Sequence, residues 1–165
     1  MQPLSQRLLT VFPAGIGALL VLLCAVPLSG GMVTYTPNVA WLMTIVMMAF
    51  YPPAWPLTAA FSLGLLQDVL FATPLGSQAL LSVLLAQVTG LQAARQQSQQ
   101  FRLRWLEAAG MLVLWHGLLW VLMRAVTQDS GSLRHLLQAG LVDALWYPLF
   151  YGVITRAFAA LPHAK

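Results

Sequence analysis

The chain has 165 residues, 59% of them hydrophobic and only 7% charged, whereas a soluble globular domain carries about 25% charged residues. Mean hydropathy is +0.78 and the pI is near 9.9. The composition excludes an ordinary cytosolic enzyme, a disordered chain and a nucleic-acid binder, because the net charge of +4 sits in short segments between apolar runs, where a membrane protein keeps its Lys and Arg.

No charged residue occurs from Leu8 through Gln67, and none from Val69 to Ala94. A membrane-spanning helix needs about 20 apolar residues, so these stretches alone hold room for about four spans. One integral membrane domain over 1–165 is expected, with almost no extramembrane mass. Cys24 is the one cysteine and cannot form an intrachain disulfide; it reads as a small core residue. Arg7 before an apolar run resembles a signal-peptide opening. The run lacks a small-x-small cleavage site, and Leu23 before Cys24 spoils a lipoprotein site, so a retained first span is expected.

The first helix is predicted over 8–28, with Gly15, Gly17 and Ala18 as a small-residue face and Pro13 bending its first turns. Thr36-Pro37 predicts a helix start, Thr as N-cap and Pro at the first position, giving a short second helix over 37–51. The turn Tyr51-Pro52-Pro53-Ala54-Trp55-Pro56 carries interfacial aromatics, and a third helix follows over 56–71. Thr73-Pro74 repeats the start and opens a fourth helix over 74–94. A polar, basic loop from Arg95 to Arg104 precedes a fifth helix over 105–126. A polar loop over 127–133 leads to a sixth over 134–160.

Six spans put both termini on one side, together with Arg7, Arg95, Arg102, Arg104, Arg156 and Lys165, against Arg124 and Arg134 on the other. The positive-inside rule then places both termini in the cytoplasm. A five-span arrangement, with helices two and three merged into a re-entrant hairpin, is the alternative.

Ionisable residues inside spans are functional hypotheses by default. His116 and Asp143 fall at similar depth, about 12–15 Å from the outer ends of adjacent antiparallel helices, and a polar clamp between them is the expectation. Asp68 lies near the outer end of the third helix, where an ion pair with Arg124 or Arg134 is the plain reading. Glu107 suits the first turn of the fifth helix and can neighbour Arg102 or Arg104. Gln78, Gln87 and Gln138 can bond between helices. No phosphate loop, metal-ligand spacing, nucleophile elbow or carboxylate pair stands out, so no catalytic residue, cofactor, metal or nucleic-acid partner is expected.

The stretch from Gly64 to Leu80, Gly-Leu-Leu-Gln-Asp-Val-Leu-Phe-Ala-Thr-Pro-Leu-Gly-Ser-Gln-Ala-Leu, resembles the signature of the bacterial rod shape-determining protein MreD family. The elements in it are Gly-Leu-Leu, Asp68 two residues on, a small-residue turn, then Thr73, Pro74, Leu75 and Gly76 before Ala-Leu. Thr36-Pro37-Asn38, the Pro-containing turn, chain length and the basic loop before the fifth helix follow the same layout. The family usually has an acidic residue where Asn38 stands and a Gly where Ala72 stands. The motif also has a plain physical reading: a tight helical hairpin with a carboxylate at its mouth, in which Gly76 permits close approach.

The resemblance implies a non-catalytic inner-membrane component of the cell-elongation complex. It implies direct binding of the bitopic protein MreC, with MreB, RodA and penicillin-binding protein 2 in the same complex, in support of lateral peptidoglycan synthesis. It also implies an all-α polytopic fold of six transmembrane helices, similar to the substrate-binding subunits of vitamin transporters. Two rivals remain. A solute-binding transporter subunit predicts a polar pocket built from Asp68, Gln78, His116 and Asp143. An intramembrane enzyme predicts an activity lost on changing Asp143 or His116.

Overall fold

The computed structural model of the protein describes residues 4–25, 37–127 and 132–159. Thr36 and the loop before it lie outside the described residues, as does the side chain of Cys24. Among the described residues the fold is all-helical, with six α-helices and no strand. They are α1 (Leu4–Ala25), α2 (Val39–Phe50), α3 (Leu57–Leu70), α4 (Ser77–Ser98), α5 (Phe101–Thr127) and α6 (Leu133–Ala159), with a single 3-10 turn at Pro52–Ala54 between α2 and α3.

α2 is the centre. Its sequence, VAWLMTIVMMAF, has no polar face, and ten of its residues are buried, including Thr44. A helix that is apolar all round belongs inside a bundle, and α1, α3, α4 and α6 surround this one. Leu85 and Leu112, fully buried, pack into the same core from α4 and α5. α3 packs along α4 and α5 along α6 as two helical hairpins.

The outer faces are apolar as well. Leu91, Leu75 and Leu145 are 87%, 76% and 72% exposed. Two helices, over Phe101–Val126 and Leu137–Ala157, are long and apolar enough to cross a membrane. Shorter apolar helices lie at Pro13–Leu23, Val39–Phe50 and Leu57–Leu70.

The expected loop from Arg95 to Arg104 is mostly helix. α4 continues to Ser98 and α5 begins at Phe101, leaving only Gln99 and Gln100 between them. Arg and Gln are good helix formers, and both flanks are tied: Arg95 Nη2 lies 3.0 Å from Glu107 Oε1, to which Gln99 Nε2 also donates at 3.1 Å. Glu107 therefore pairs with Arg95, not with Arg102 or Arg104 as the sequence suggested.

The Thr-Pro steps also behave differently from expectation. Asn38, not Thr36, caps α2: its Oδ1 accepts from the Trp41 N–H at 3.1 Å. Pro37 precedes the helix. At the second step α4 starts at Ser77, with Gly76 as its cap residue at φ 96°. Pro74 restricts the residue before it to extended conformations, so Thr73-Pro74 forms the turn instead of the first helical residues.

Candidate functional site

The hairpin between α3 and α4 is built around one carboxylate. Asp68 is 1% exposed. Its Oδ2 accepts from the backbone N–H groups of Gly76 (2.8 Å) and Ala79 (3.3 Å). Its Oδ1 accepts from the Gln78 N–H (2.9 Å) and from the hydroxyls of Thr73 (2.7 Å) and Ser77 (3.0 Å). The first N–H groups of any helix lack intrahelical acceptors, and the macrodipole favours negative charge there. Asp68 supplies both needs for α4 from the end of the preceding helix. It forms no ion pair with Arg124 or Arg134: Arg124 stacks on Trp120, 5.4 Å from its ring centre, and Arg134 is exposed.

The turn that allows this contains two left-handed residues, Ala72 at φ 53° and Gly76 at φ 96°. Only glycine takes that conformation without a penalty, so the alanine in the small-residue turn is strained. Gly76 has open space around it; the close approach is made by Gly64. A Cβ there would stand 2.6 Å from Ala79 Cα and 2.7 Å from Gln78 O. The close approach that the sequence suggested for Gly76 therefore belongs to Gly64, which seats α3 on the start of α4, while Gly76 turns the backbone.

The second carboxylate caps a second helix. Asp143, also 1% exposed, lies on α6. Its Oδ1 accepts from the Asn38 N–H at 2.7 Å, at the start of α2. Its Oδ2 lies 3.6 Å from His116 Nε2 on α5. His116 Nδ1 is 2.9 Å from Leu112 O, and a carbonyl requires the proton on that nitrogen. The edge of the Trp41 ring closes the other side, its centre 4.9 Å from that of His116.

One side chain links the two caps. Gln67, next to Asp68, donates from Nε2 to Asn38 Oδ1 at 2.9 Å. The chain Asp143–Asn38–Gln67 therefore runs from α6 through the start of α2 to the end of α3. The sequence singled out Asp68, Thr73, Pro74, Leu75, Gly76, His116 and Asp143. The structure places Thr73 and Gly76 on Asp68, puts Pro74 in the turn and leaves Leu75 outward. It brings His116 to Asp143. Asn38, Gly64, Gln67 and Ser77 were missed as members of this network. Asn immediately before an apolar run is a legible cap signal; nothing in the sequence reveals the partners of Gln67.

A cavity of about 330 Å³ lies between α1, α2 and α6. Ile16, Leu20, Met43, Leu149, Phe150 and Ile154 are among its lining residues, all of which are apolar. It includes none of the polar residues named above. No metal-ligating cluster of His, Cys, Asp or Glu occurs among the described residues.

Comparison of the chain with protein-family models, curated proteins and solved structures returned no match.

Proposed function

We propose that the chain is a polytopic inner-membrane protein of the MreD type, with six spans and both termini cytoplasmic. In this reading it works without catalysis, by binding other membrane proteins in the cell-elongation complex. The observation that carries the proposal is the hairpin from Gly64 to Leu80. The residues behind the resemblance form one unit in which Gly64, Asp68, Thr73 and Gly76 each have a structural task. A motif whose polar members are used up internally suits a scaffold better than a site for chemistry.

α2 and α3, about 18 and 21 Å long at 1.5 Å per residue, are shorter than a bilayer core of about 30 Å. Six spans require that their ends be covered by protein, where irregular backbone is tolerated. The capped starts of α2 and α4 meet that condition. The transporter-subunit rival needs a polar pocket. Asp68, Gln78, His116 and Asp143 are instead buried within the packing, and the cavity described above is apolar.

With Asp68 enclosed, a partner meets the hairpin through its outward residues, Val69, Leu75 and Leu80. The transmembrane helix of MreC is the partner assigned to that surface. Depletion in the host should round the cells, and affinity capture should recover MreC. Leu75→Gln combined with Val69→Gln should lose MreC while keeping the melting profile. Normal rods after depletion, or capture of an energy-coupling ATPase pair instead, would replace this reading with the transporter subunit.

A further inference from the structure

Arg104, in the first turn of α5, packs against two aromatic rings that also touch each other. Its guanidinium carbon lies 5.2 Å from the centre of Phe50, the last residue of α2, and 5.1 Å from the centre of Tyr151 on α6. Phe101 and Phe50 pack on Tyr151 at 5.2 and 5.4 Å, so the aromatic cluster is itself braced. Cation–π contact with two rings holds a guanidinium in place without using its N–H groups, which stay available to an anion.

Among the described residues no carboxylate pairs with it. The nearest carboxylate along α5, Glu107, is engaged by Arg95 and Gln99. Asp68 and Asp143 are committed to the helix starts. Arg104 forms no ion pair among the described residues, and its Nε is buried without an acceptor. Arg102 and Arg156, both exposed, belong to the same end of the bundle in the six-span arrangement. Phe101, Leu103 and Leu106 flank Arg104 along α5 as exposed apolar residues. A half-buried cation beside apolar surface, with further cations at the same end and every carboxylate among the described residues taken, is complementary to a negatively charged group at the edge of an apolar phase.

We propose that Arg104, held against Phe50 and Tyr151, binds the phosphodiester headgroup of an acidic phospholipid. The inference rests on the membrane reading above. A planar guanidinium matches phosphate oxygens two at a time, and phosphodiesters are the abundant anions at the depth where aromatic belts lie. An acidic lipid is favoured over a zwitterionic one, whose own ammonium would face Arg102 and Arg156. Basic groups at the cytoplasmic leaflet attract acidic lipids in general; here one residue is held at a fixed place by two rings.

The test uses the full chain purified in mild detergent and native mass spectrometry with added phosphatidylglycerol or phosphatidylcholine. Wild type should retain phosphatidylglycerol and not phosphatidylcholine. Arg104→Gln should weaken retention about tenfold or more, the range of a charge-assisted hydrogen bond. Arg104→Lys, which keeps the charge without the fork, should recover only part of it. Arg102→Gln should weaken retention much less. Far-UV circular dichroism and melting of each variant separate lost binding from lost folding. Equal retention by wild type and a folded Arg104→Gln overturns the proposal, as does equal retention of the two lipids. Displacement of the lipid by millimolar inorganic phosphate would assign the site to a soluble phosphate compound instead. A chain that leaves the membrane fraction without detergent would refute the membrane reading itself.

Discussion

Replacing Asp68 tests whether a side chain from α3 holds the start of α4. Asp68→Ala strands the N–H groups of Gly76, Gln78 and Ala79, which have the carboxylate as their acceptor. A buried donor left unpartnered costs about 1–3 kcal/mol. Three would give about 6 kcal/mol at the middle of that range, and relaxation of the turn lowers the expectation to about 4 kcal/mol. Asp68→Asn is the sharper variant, because volume and shape are kept. With its NH2 at the Oδ2 position, the amide confronts the N–H groups of Gly76 and Ala79. With its NH2 at the Oδ1 position, it confronts the Gln78 N–H, while the Thr73 and Ser77 hydroxyls can rotate to accept. The second placement is the better one and leaves about one unpartnered donor, hence about 2 kcal/mol. Unfolding of the detergent-solubilised protein by sodium dodecyl sulfate, followed by circular dichroism, measures both. The order should be wild type, Asn, then Ala. An Asn variant with the wild-type midpoint would refute the all-acceptor cap, since at the same size and shape the amide replaces one acceptor by a donor and removes the charge that the start of α4 favours.

Gly64→Ala should destabilise the protein by more than about 2 kcal/mol, because the atoms that its Cβ meets below 3 Å are backbone and cannot rotate away; a midpoint unchanged in the same titration would show that α3 can slide off α4. Ala72→Gly should raise stability by up to about 1 kcal/mol by releasing the left-handed strain at φ 53°, and a fall would mean that the freedom gained by the unfolded chain dominates. His116→Leu should lower the melting temperature and Asp143→Asn should partly rescue it, since the buried Asp143 Oδ2 then no longer faces a purely apolar neighbour as a carboxylate; no change in either variant would remove the clamp from the list of structural devices. Asp68→Asn and Asp143→Asn should couple by about 0.5 kcal/mol or more, and the coupling should vanish in a Gln67→Leu background; additivity with Gln67 intact would show that the two caps are independent.

Helix number and order were legible because apolar runs and Pro, Gly and Ser breaks alternate along the chain. The ends were less so. The Gln-rich segment after Arg95 reads as loop by polarity, yet its residues favour helix, and Arg95 and Gln99 are both held locally by Glu107. Thr73-Pro74 reads as a helix start, yet the Thr73 hydroxyl is spent on Asp68, and the cap falls two residues beyond Pro74, where Gly76 can turn left-handed. The depth argument that set His116 beside Asp143 needs only helix rise and the packing of two consecutive antiparallel helices. The contact between Asn38 and Asp143 does need it, since 105 positions separate them and no periodicity links them. The aromatic cluster beside Arg104 was invisible for the same reason: its rings come from α2 and α6.

Asp68 and Asp143 solve one problem twice. Two helices begin where the sequence supplies no charge of its own near the cap, at Asn38 and at Gly76. In water their first N–H groups would find solvent; inside a bundle wrapped in apolar surface they cannot. Each is met by a carboxylate borrowed from another helix, Asp143 from α6 and Asp68 from α3. An acidic residue at position 38 itself would place a second carboxylate close to Asp143, because the 38 N–H already contacts Asp143 Oδ1 at 2.7 Å. Asn38 avoids that repulsion, keeps an oxygen for the Trp41 N–H and accepts from Gln67. The identity of residue 38 is therefore tied to that of residue 143: an acid at one position calls for a neutral acceptor at the other.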